Sequence, residues 1–318
     1  MKNFLSINDV SDLHELLLKA KKIKENPLGN FQLGKGKYLG LIFLNPSLRT
    51  RLSTQRAAYN LGMQVMVINL MEEGWRIETA DGTVMDGDHV EHIKEAAAVI
   101  GRYCEIIGIR TFPGLKNRKE DYSESILEKF MKYSNRPVVS LESATRHPLQ
   151  SFADIMTIEE YKKDKNKKPR VVLTWAPHPK VLPQSVPNSF VEWTLKMNYE
   201  LIITHPLGYE LEESLTENAI IEYNQDKALE GADFVYVKNW SSYSDYGKIL
   251  SKDRSWTLTL DKIRNTNNAR VMHCLPVRRN MVIADDVLES DHSIVIQEAE
   301  NRIYTAQAVL SQIITDNF

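Results

Sequence analysis

Short, almost wholly apolar runs alternate along the chain with stretches in which apolar residues recur every three or four positions. The first pattern predicts strands covered on both faces, and the second predicts the amphipathic helices that cover them. In the first half, strands are expected at residues 38–44, 64–70, 105–109 and 137–140, with helices at 47–61, 91–103 and 123–133. A second series has strands at 170–174, 200–204, 233–237 and 270–273, a helix at 188–196 and a final helix at about 301–314. Strand and helix in alternation build βαβ units around a parallel sheet. We therefore expect an α/β protein of two doubly wound parallel-sheet domains with a cleft between them, joined near residues 144–151. The first domain is expected to span residues 1–146 and to take back the C-terminal helix within 300–318. The second is expected to span 147–299.

One segment breaks the alternation. Residues 176–188 contain Pro177, Pro179, Pro183 and Pro187, which exclude a regular helix and a central strand. A long loop is expected there, directly after a strand. Ligands of open α/β sheets sit beyond the carboxyl ends of strands, so this loop is placed to line a site.

A length of 318 residues suits two domains, each able to bury its own core. The composition, 42% hydrophobic and 26% charged, is that of a soluble globular chain. A net charge of -2 argues against a nucleic-acid partner, which would call for a basic stripe. The lysine run at 162–168 reads as a solvated loop or helix end. Two cysteines, Cys104 and Cys274, supply neither a disulfide framework nor a cysteine-based zinc site. No metal and no organic cofactor is expected. Residues 1–10 do not read as a secretory leader, and no apolar stretch approaches the ~20 residues that span a bilayer. The expectation is a cytoplasmic protein with no membrane partner.

Three segments carry chemistry. After the first strand come Asn45, Pro46, Ser47, Leu48, Arg49, Thr50 and Arg51, then a helix. Backbone N–H groups, hydroxyls and guanidiniums gathered at a helix start suit a phosphate dianion. A capped helix with solvent-facing arginines is the even alternative. The second segment is His147, Pro148, Leu149 and Gln150 at the domain junction. There an imidazole can meet a carbonyl oxygen while the glutamine oxygen accepts from an NH2 group; a satisfied structural histidine is the alternative. The third is Met272, His273, Cys274, Leu275, Pro276, Val277, Arg278 and Arg279 after a buried strand. It offers Cys274 and the Leu275 carbonyl to a site, or else a buried structural cysteine; no nucleophile is claimed. Gly34, Lys35 and Gly36 precede a strand instead of following one, so no dinucleotide fingerprint is formed.

Residues 47–51 resemble the Ser-Thr-Arg-Thr-Arg phosphate motif of the aspartate and ornithine carbamoyltransferases, with Leu48 in place of the first threonine. Residues 147–150 match that family's His-Pro-x-Gln, and 273–276 match the His-Cys-Leu-Pro of its ornithine members, in order over nearly the whole chain. Where ornithine enzymes carry Asp-x-x-x-Ser-Met-Gly to hold a free α-amino group, this chain reads Val237, Lys238, Asn239 and Trp240. That departure, with Trp75, Asp86-Gly87-Asp88 and the segment from Trp175 to Pro179, is similar to the branch that uses N-acylated ornithine.

The resemblance implies transfer of the carbamoyl group of carbamoyl phosphate to the δ-amine of an N-acylated ornithine. Carbamoyl phosphate is expected on Ser47, Leu48, Arg49, Thr50, Trp75, Arg110, His147, Gln150, Cys274, Leu275 and Arg302. Arg110, His147, Gln150 and Cys274 are the expected catalytic set, with Arg110 reaching both the phosphate and the carbonyl oxygen. Arg302, at the start of the last helix, is expected to close the anion cage. Val90, Glu142, His178, Lys238, Arg278 and Arg279 are expected to hold the acylornithine. Trp75 is similar to a residue contributed by a neighbouring subunit, a core aromatic being the alternative. At Val90 the branch carries Glu for acetyl and Pro for succinyl acceptors. A valine adds no charge to repel a second carboxylate, so N-succinylornithine is the expected acceptor and N-acetylornithine the alternative. From a different class, a non-catalytic anion-binding regulatory protein is the competing reading. The family also implies a homotrimer, and the branch implies a knotted backbone in the second domain.

Overall fold

Leu39, Leu41, Ile42 and Phe43 are almost fully buried in β1 (Tyr38–Phe43), a strand paired along both edges. The computed structural model describes residues 1–70 and 76–318 and divides into two units. The first comprises Met1–Pro113, Lys119–Leu149 and Arg302–Phe318. Around β1 it holds α1 (Leu13–Glu25), α2 (Arg49–Asn60), β2 (Gln64–Asn69), two short strands β3 (Ile77–Glu78) and β4 (Glu91–His92), and α3 (Ile93–Tyr103). These are followed by β5 (Ile106–Arg110), α4 (Arg118–Tyr122), α5 (Ser125–Ser134) and β6 (Val138–Glu142).

The main sheet runs β2-β1-β5-β6 and every pairing is parallel. From β1 the chain crosses through α2 to β2, then returns through α3 to β5 on the other side of β1. The winding therefore reverses between β1 and β5, the place where a doubly wound sheet opens a crevice at its carboxyl edge. Gly108 holds that pairing tight: a Cβ there would come 2.8 Å from Leu41 Cδ2 and 3.2 Å from Leu141 Cδ2. Arg110 and Glu142, which lie just beyond the strands expected at 105–109 and 137–140, belong to β5 and β6. Arg110 closes β5 opposite Glu142 of β6, because each buries its charge against the other.

The second unit, Gly114–Arg118 with Gln150–Asn301, begins inside α6 (Pro148–Tyr161). It continues through β7 (Arg170–Trp175), α7 (Ser185–Lys196), β8 (Glu200–Thr204), α8 (Glu213–Thr216), β9 (Ile220–Ile221) and α9 (Gln225–Leu229). Then come β10 (Phe234–Lys238), α10 (Leu260–Ile263), β11 (Arg270–Met272), α11 (Asp285–Leu288) and α12 (Val295–Asn317). Its sheet, also parallel throughout, runs β11-β10-β7-β8-β9, and here the winding reverses between β7 and β10. The division between the units falls at 149/150 and 301/302, a few residues from the expected boundaries, because α6 and α12 are continuous helices that cross it. The exposed lysines at 163, 165, 167 and 168 lie between α6 and β7, at the opposite, amino edge of the second sheet.

Two sequence expectations need correction. The proline-rich segment is irregular only as far as Gln184, and α7 carries Pro187 as its third residue. N–H groups of a first turn have no intrahelical acceptor, so proline loses nothing there. The last helix starts at Val295 instead of about 301, so Arg302 lies about two turns inside α12 and not at its opening. Among the described residues no helix is long and apolar enough to cross a membrane.

Candidate active site

In the first unit, β1 and β5 deliver their carboxyl ends to the winding reversal. Beyond β1, residues 44–48 lead into α2, whose N-cap is Leu48; no side chain caps it, and its first turn carries no acidic residue. An uncapped first turn presents N–H donors and the positive end of the helix dipole, the combination that receives anions. The Leu48 side chain is 67% exposed, so exchanging threonine for leucine leaves the backbone N–H at that position intact. From α12, Arg302 is buried and its Nη2 donates to Thr50 Oγ1 at 2.5 Å, adding a guanidinium to the same turn.

Arg110 fastens the segment preceding that turn. Its Nη1 donates to the carbonyls of Asn45 (3.2 Å) and Pro46 (3.0 Å), while Nε and Nη2 converge on one Glu142 oxygen at 3.1 and 2.8 Å. Four of the five guanidinium N–H donors are thus committed to protein. In this arrangement one Nη2 hydrogen has no acceptor given to it by these contacts. Its cationic face lies 4.8 Å from the Phe112 ring. The Glu142 oxygen that receives Arg110 is also 3.9 Å from His147 Nε2, so the three side chains form one buried row across the ends of β5 and β6.

The connection carrying His147 is held from outside by Glu124. One of its oxygens accepts from Ser143 Oγ (2.6 Å), Thr145 N (2.9 Å) and Thr145 Oγ1 (2.7 Å). Hydrogen bonds to a charged acceptor are worth more than neutral ones. Glu124→Ala is expected to destabilise the protein by about 2 kcal/mol, read as a shift in the urea unfolding midpoint; an unchanged midpoint would mean the loop holds itself.

In the second unit, Gln150 in the first turn of α6 is fully buried. Its Nε2 donates to Asp154 Oδ1 (2.8 Å) and Glu298 Oε1 (3.0 Å), while its Oε1 has no hydrogen-bond partner among the described residues. Glu298 Oε2 accepts the His273 N–H at 2.8 Å beyond β11, and His273 Nδ1 accepts the Leu275 N–H at 2.8 Å. Leu275 has φ +56°, a left-handed conformation costly for a side-chain-bearing residue and commonest where a site demands it. Burial, then the Asp154 charge, pushes the Glu298 carboxyl well above the ordinary carboxylate range. Burial likewise keeps the Tyr236 phenol protonated.

At the reversal between β7 and β10, Lys238 ends its strand and its carbonyl accepts the Ala176 N–H at 3.1 Å. His178, two residues further along the proline segment, has Nε2 3.1 Å from Arg278 Nε. Its Nδ1 lies 2.9 Å from the Lys180 carbonyl and 3.1 Å from the Lys180 N–H. Burial first, and then the Lys238 and Arg278 charges, lower the His178 pKa, so the ring is a neutral acceptor between two cations. Arg279 does not join this group: its Nη1 donates to Asp285 (2.9 Å) and Glu289 (2.8 Å), and two carboxylates already answer its charge. Val90 is 68% exposed in the first unit, on the segment leading into β4, and Trp75 lies outside the described residues.

Two family models cover most of the chain: the aspartate/ornithine carbamoyltransferase carbamoyl-P binding domain over residues 2–160, and the Asp/Orn binding domain of the same enzymes over 183–313. The chain belongs to the aspartate/ornithine carbamoyltransferase family. Among curated members, the N-succinylornithine carbamoyltransferase of Bacteroides thetaiotaomicron is 55% identical over 99% of both chains. The N-acetylornithine carbamoyltransferase of Xanthomonas campestris is 36% identical over 99% of this chain and 98% of its own. A crystal structure of N-acetyl-L-ornithine transcarbamylase superposes with a TM-score of 0.93 at 35% identity, covering 98% of this chain and all of that one. In that crystal a glutamate is replaced by valine, and the enzyme is complexed with carbamyl phosphate and N-succinyl-L-norvaline.

Within this carbamoyltransferase, reasoning from sequence missed three side chains that support the others: Glu124, Asp154 and Glu298. Asp154 was within reach of it, since it lies one helical turn after Gln150 and so shares its face. Glu124 and Glu298 contact their partners across long stretches of chain, and no local spacing marks them.

Proposed function

We propose that the chain transfers the carbamoyl group of carbamoyl phosphate to the δ-amine of N-succinyl-L-ornithine, giving N-succinyl-L-citrulline and phosphate, as a step of arginine biosynthesis. The observation that carries this reading is the 55% identity, over 99% of the chain, to a curated N-succinylornithine enzyme, against 36% to the N-acetylornithine enzyme. The chemistry of the second unit agrees. Lys238 and Arg278 flank a neutral His178, which suits a substrate with two carboxylates and an uncharged α-nitrogen.

Each unit supplies its own part of the reaction. The first offers the phosphate Ser47, the backbone N–H groups of Leu48, Arg49 and Thr50, and the guanidiniums of Arg49 and Arg302. Thr50, His147 and the remaining Arg110 N–H answer the charge that grows on the carbonyl oxygen as the amine attacks. The second offers the carbamoyl NH2 two acceptors, Gln150 Oε1 and the Leu275 carbonyl, while Lys238 and Arg278 hold the acylornithine. Glu142 acts on that substrate while it restrains Arg110. The neutral amine forms the new C–N bond, the C–O bond to phosphate breaks, and the leaving phosphate takes the amine proton. Alignment of the two reactants supplies most of the acceleration. Cys274 lies beside the amine and forms no covalent intermediate.

Val90 tunes the acyl end. Support comes from the acetylornithine enzyme, crystallised with N-succinyl-L-norvaline in variants that carry valine, alanine, serine or proline in place of one glutamate. Val90→Glu is expected to lower kcat/KM for N-succinylornithine about tenfold through like-charge repulsion and to leave the KM for carbamoyl phosphate unchanged. Equal losses for both substrates would remove Val90 from the acyl site. The same reading includes a cytoplasmic homotrimer with Trp75 supplied by a neighbouring subunit, and a knot in the second unit. The deciding assay offers N-succinylornithine, N-acetylornithine and ornithine side by side with carbamoyl phosphate and measures ureido product. A preference for free ornithine would overturn the acceptor assignment, and no product with any of the three would overturn the transferase.

A further inference from the structure

We propose that Asp154 and Glu298 are positioning residues: by taking both amide hydrogens of Gln150 they leave its oxygen as a fixed, donor-free acceptor for the carbamoyl NH2, coupled through the His273 N–H to the Leu275 segment. The inference rests on the reading above that Gln150 and the Leu275 carbonyl receive that NH2. A glutamine amide can present either its oxygen or its NH2 to a ligand, and a presented NH2 would repel the NH2 of carbamoyl phosphate. The two carboxyl groups settle the choice, since Nε2 lies 2.8 Å from Asp154 Oδ1 and 3.0 Å from Glu298 Oε1, with Gln150 fully buried. Glu298 spends its other oxygen on the His273 N–H at 2.8 Å, and the His273 ring receives the Leu275 N–H. One acid thus orders both acceptors of the same NH2 group. Asp154 and Glu298 are themselves fully buried, and burial, then the Asp154 charge, pushes the Glu298 carboxyl upward.

The test compares carbamoyl phosphate with acetyl phosphate, which carries a methyl group where the substrate carries NH2 and so gains nothing from an acceptor. Binding of each is measured, acetyl phosphate as a competitive inhibitor, in the intact enzyme and in three variants. Glu298→Gln offers one acceptor oxygen to two donors, Gln150 Nε2 and His273 N. It is expected to reduce the preference for carbamoyl over acetyl phosphate about tenfold, the scale of one hydrogen bond. Asp154→Asn keeps an oxygen for Gln150 and an N–H for the Glu298 carboxyl, and is expected to keep the preference within about twofold. Gln150→Leu reports on the underlying reading and is expected to lose the preference as far as Glu298→Gln does. If Gln150→Leu leaves the preference intact, the acceptor role of Gln150 fails. If Gln150→Leu abolishes it while Glu298→Gln weakens both phosphates equally, the positioning proposal fails and the acids are merely structural. Should Glu298→Gln not fold, Asp154→Ala removes the other acceptor and is read by the same ratio.

Discussion

Arg110→Gln is expected to lower kcat/KM for carbamoyl phosphate about a thousandfold and to destabilise the protein by about 3 kcal/mol. Both effects come from the same buried guanidinium. The stability loss arises because Glu142, 7% exposed, keeps its charge and loses the partner that received it through two N–H groups. The catalytic loss arises because glutamine cannot hold the Asn45 and Pro46 carbonyls and also face the reacting carbonyl, so the turn before α2 and the charge at the strand ends are lost together. The double variant Arg110→Gln, Glu142→Gln separates the two. With no charge left to bury, it is expected to regain about 2 kcal/mol of the stability while activity stays low. Urea unfolding and steady-state kinetics on the three variants give the answer. If kcat/KM falls less than about tenfold as stability drops, Arg110 is a fastening of the fold and no part of the chemistry.

Lys238→Met and Arg278→Met are each expected to cost about a hundredfold in kcat/KM for N-succinylornithine, the scale of a charge-assisted hydrogen bond, with the KM for carbamoyl phosphate nearly unchanged. The comparison with N-acetylornithine assigns each cation to one end of the acceptor. The variant that loses the α-carboxylate contact suffers equally with both acceptors. The variant that loses the succinyl contact is penalised with the succinyl compound alone. Initial rates for two variants and two acceptors decide the matter, and a loss confined to carbamoyl phosphate would detach both cations from the acceptor. Removing either charge also lets the neighbouring His178 move back toward its ordinary pKa.

The alternation of strand and helix was legible because the central strands are buried on both faces and therefore read as unbroken apolar runs. β7, whose last five residues are fully buried, is the clearest case. The short strands β3, β4 and β9 have two residues each, too few to show any period, and they escaped. Proline in the first turn of α7 was mistaken for a helix breaker, because sequence gives its identity and not its place in the turn. The candidate site was legible as contiguous segments: 47–50, 147–150 and 273–276 each lie on one strand-to-helix or strand-to-loop connection. What stayed hidden depends on contacts between distant segments. Arg279 looks as available as Arg278 in the sequence, and only the folded chain shows it answered by Asp285 and Glu289. The donor count of Arg110 is likewise set by carbonyls 64 and 65 residues away.

In the second unit, Lys238, Cys274 and the proline segment all leave the sheet at its carboxyl edge, whereas the lysines at 163, 165, 167 and 168 are exposed on the turn entering β7 from the other side. Those amines are the natural attachment points for a surface-coupled or fluorophore-labelled form of the enzyme, since a graft on that turn leaves every residue named for turnover unmodified.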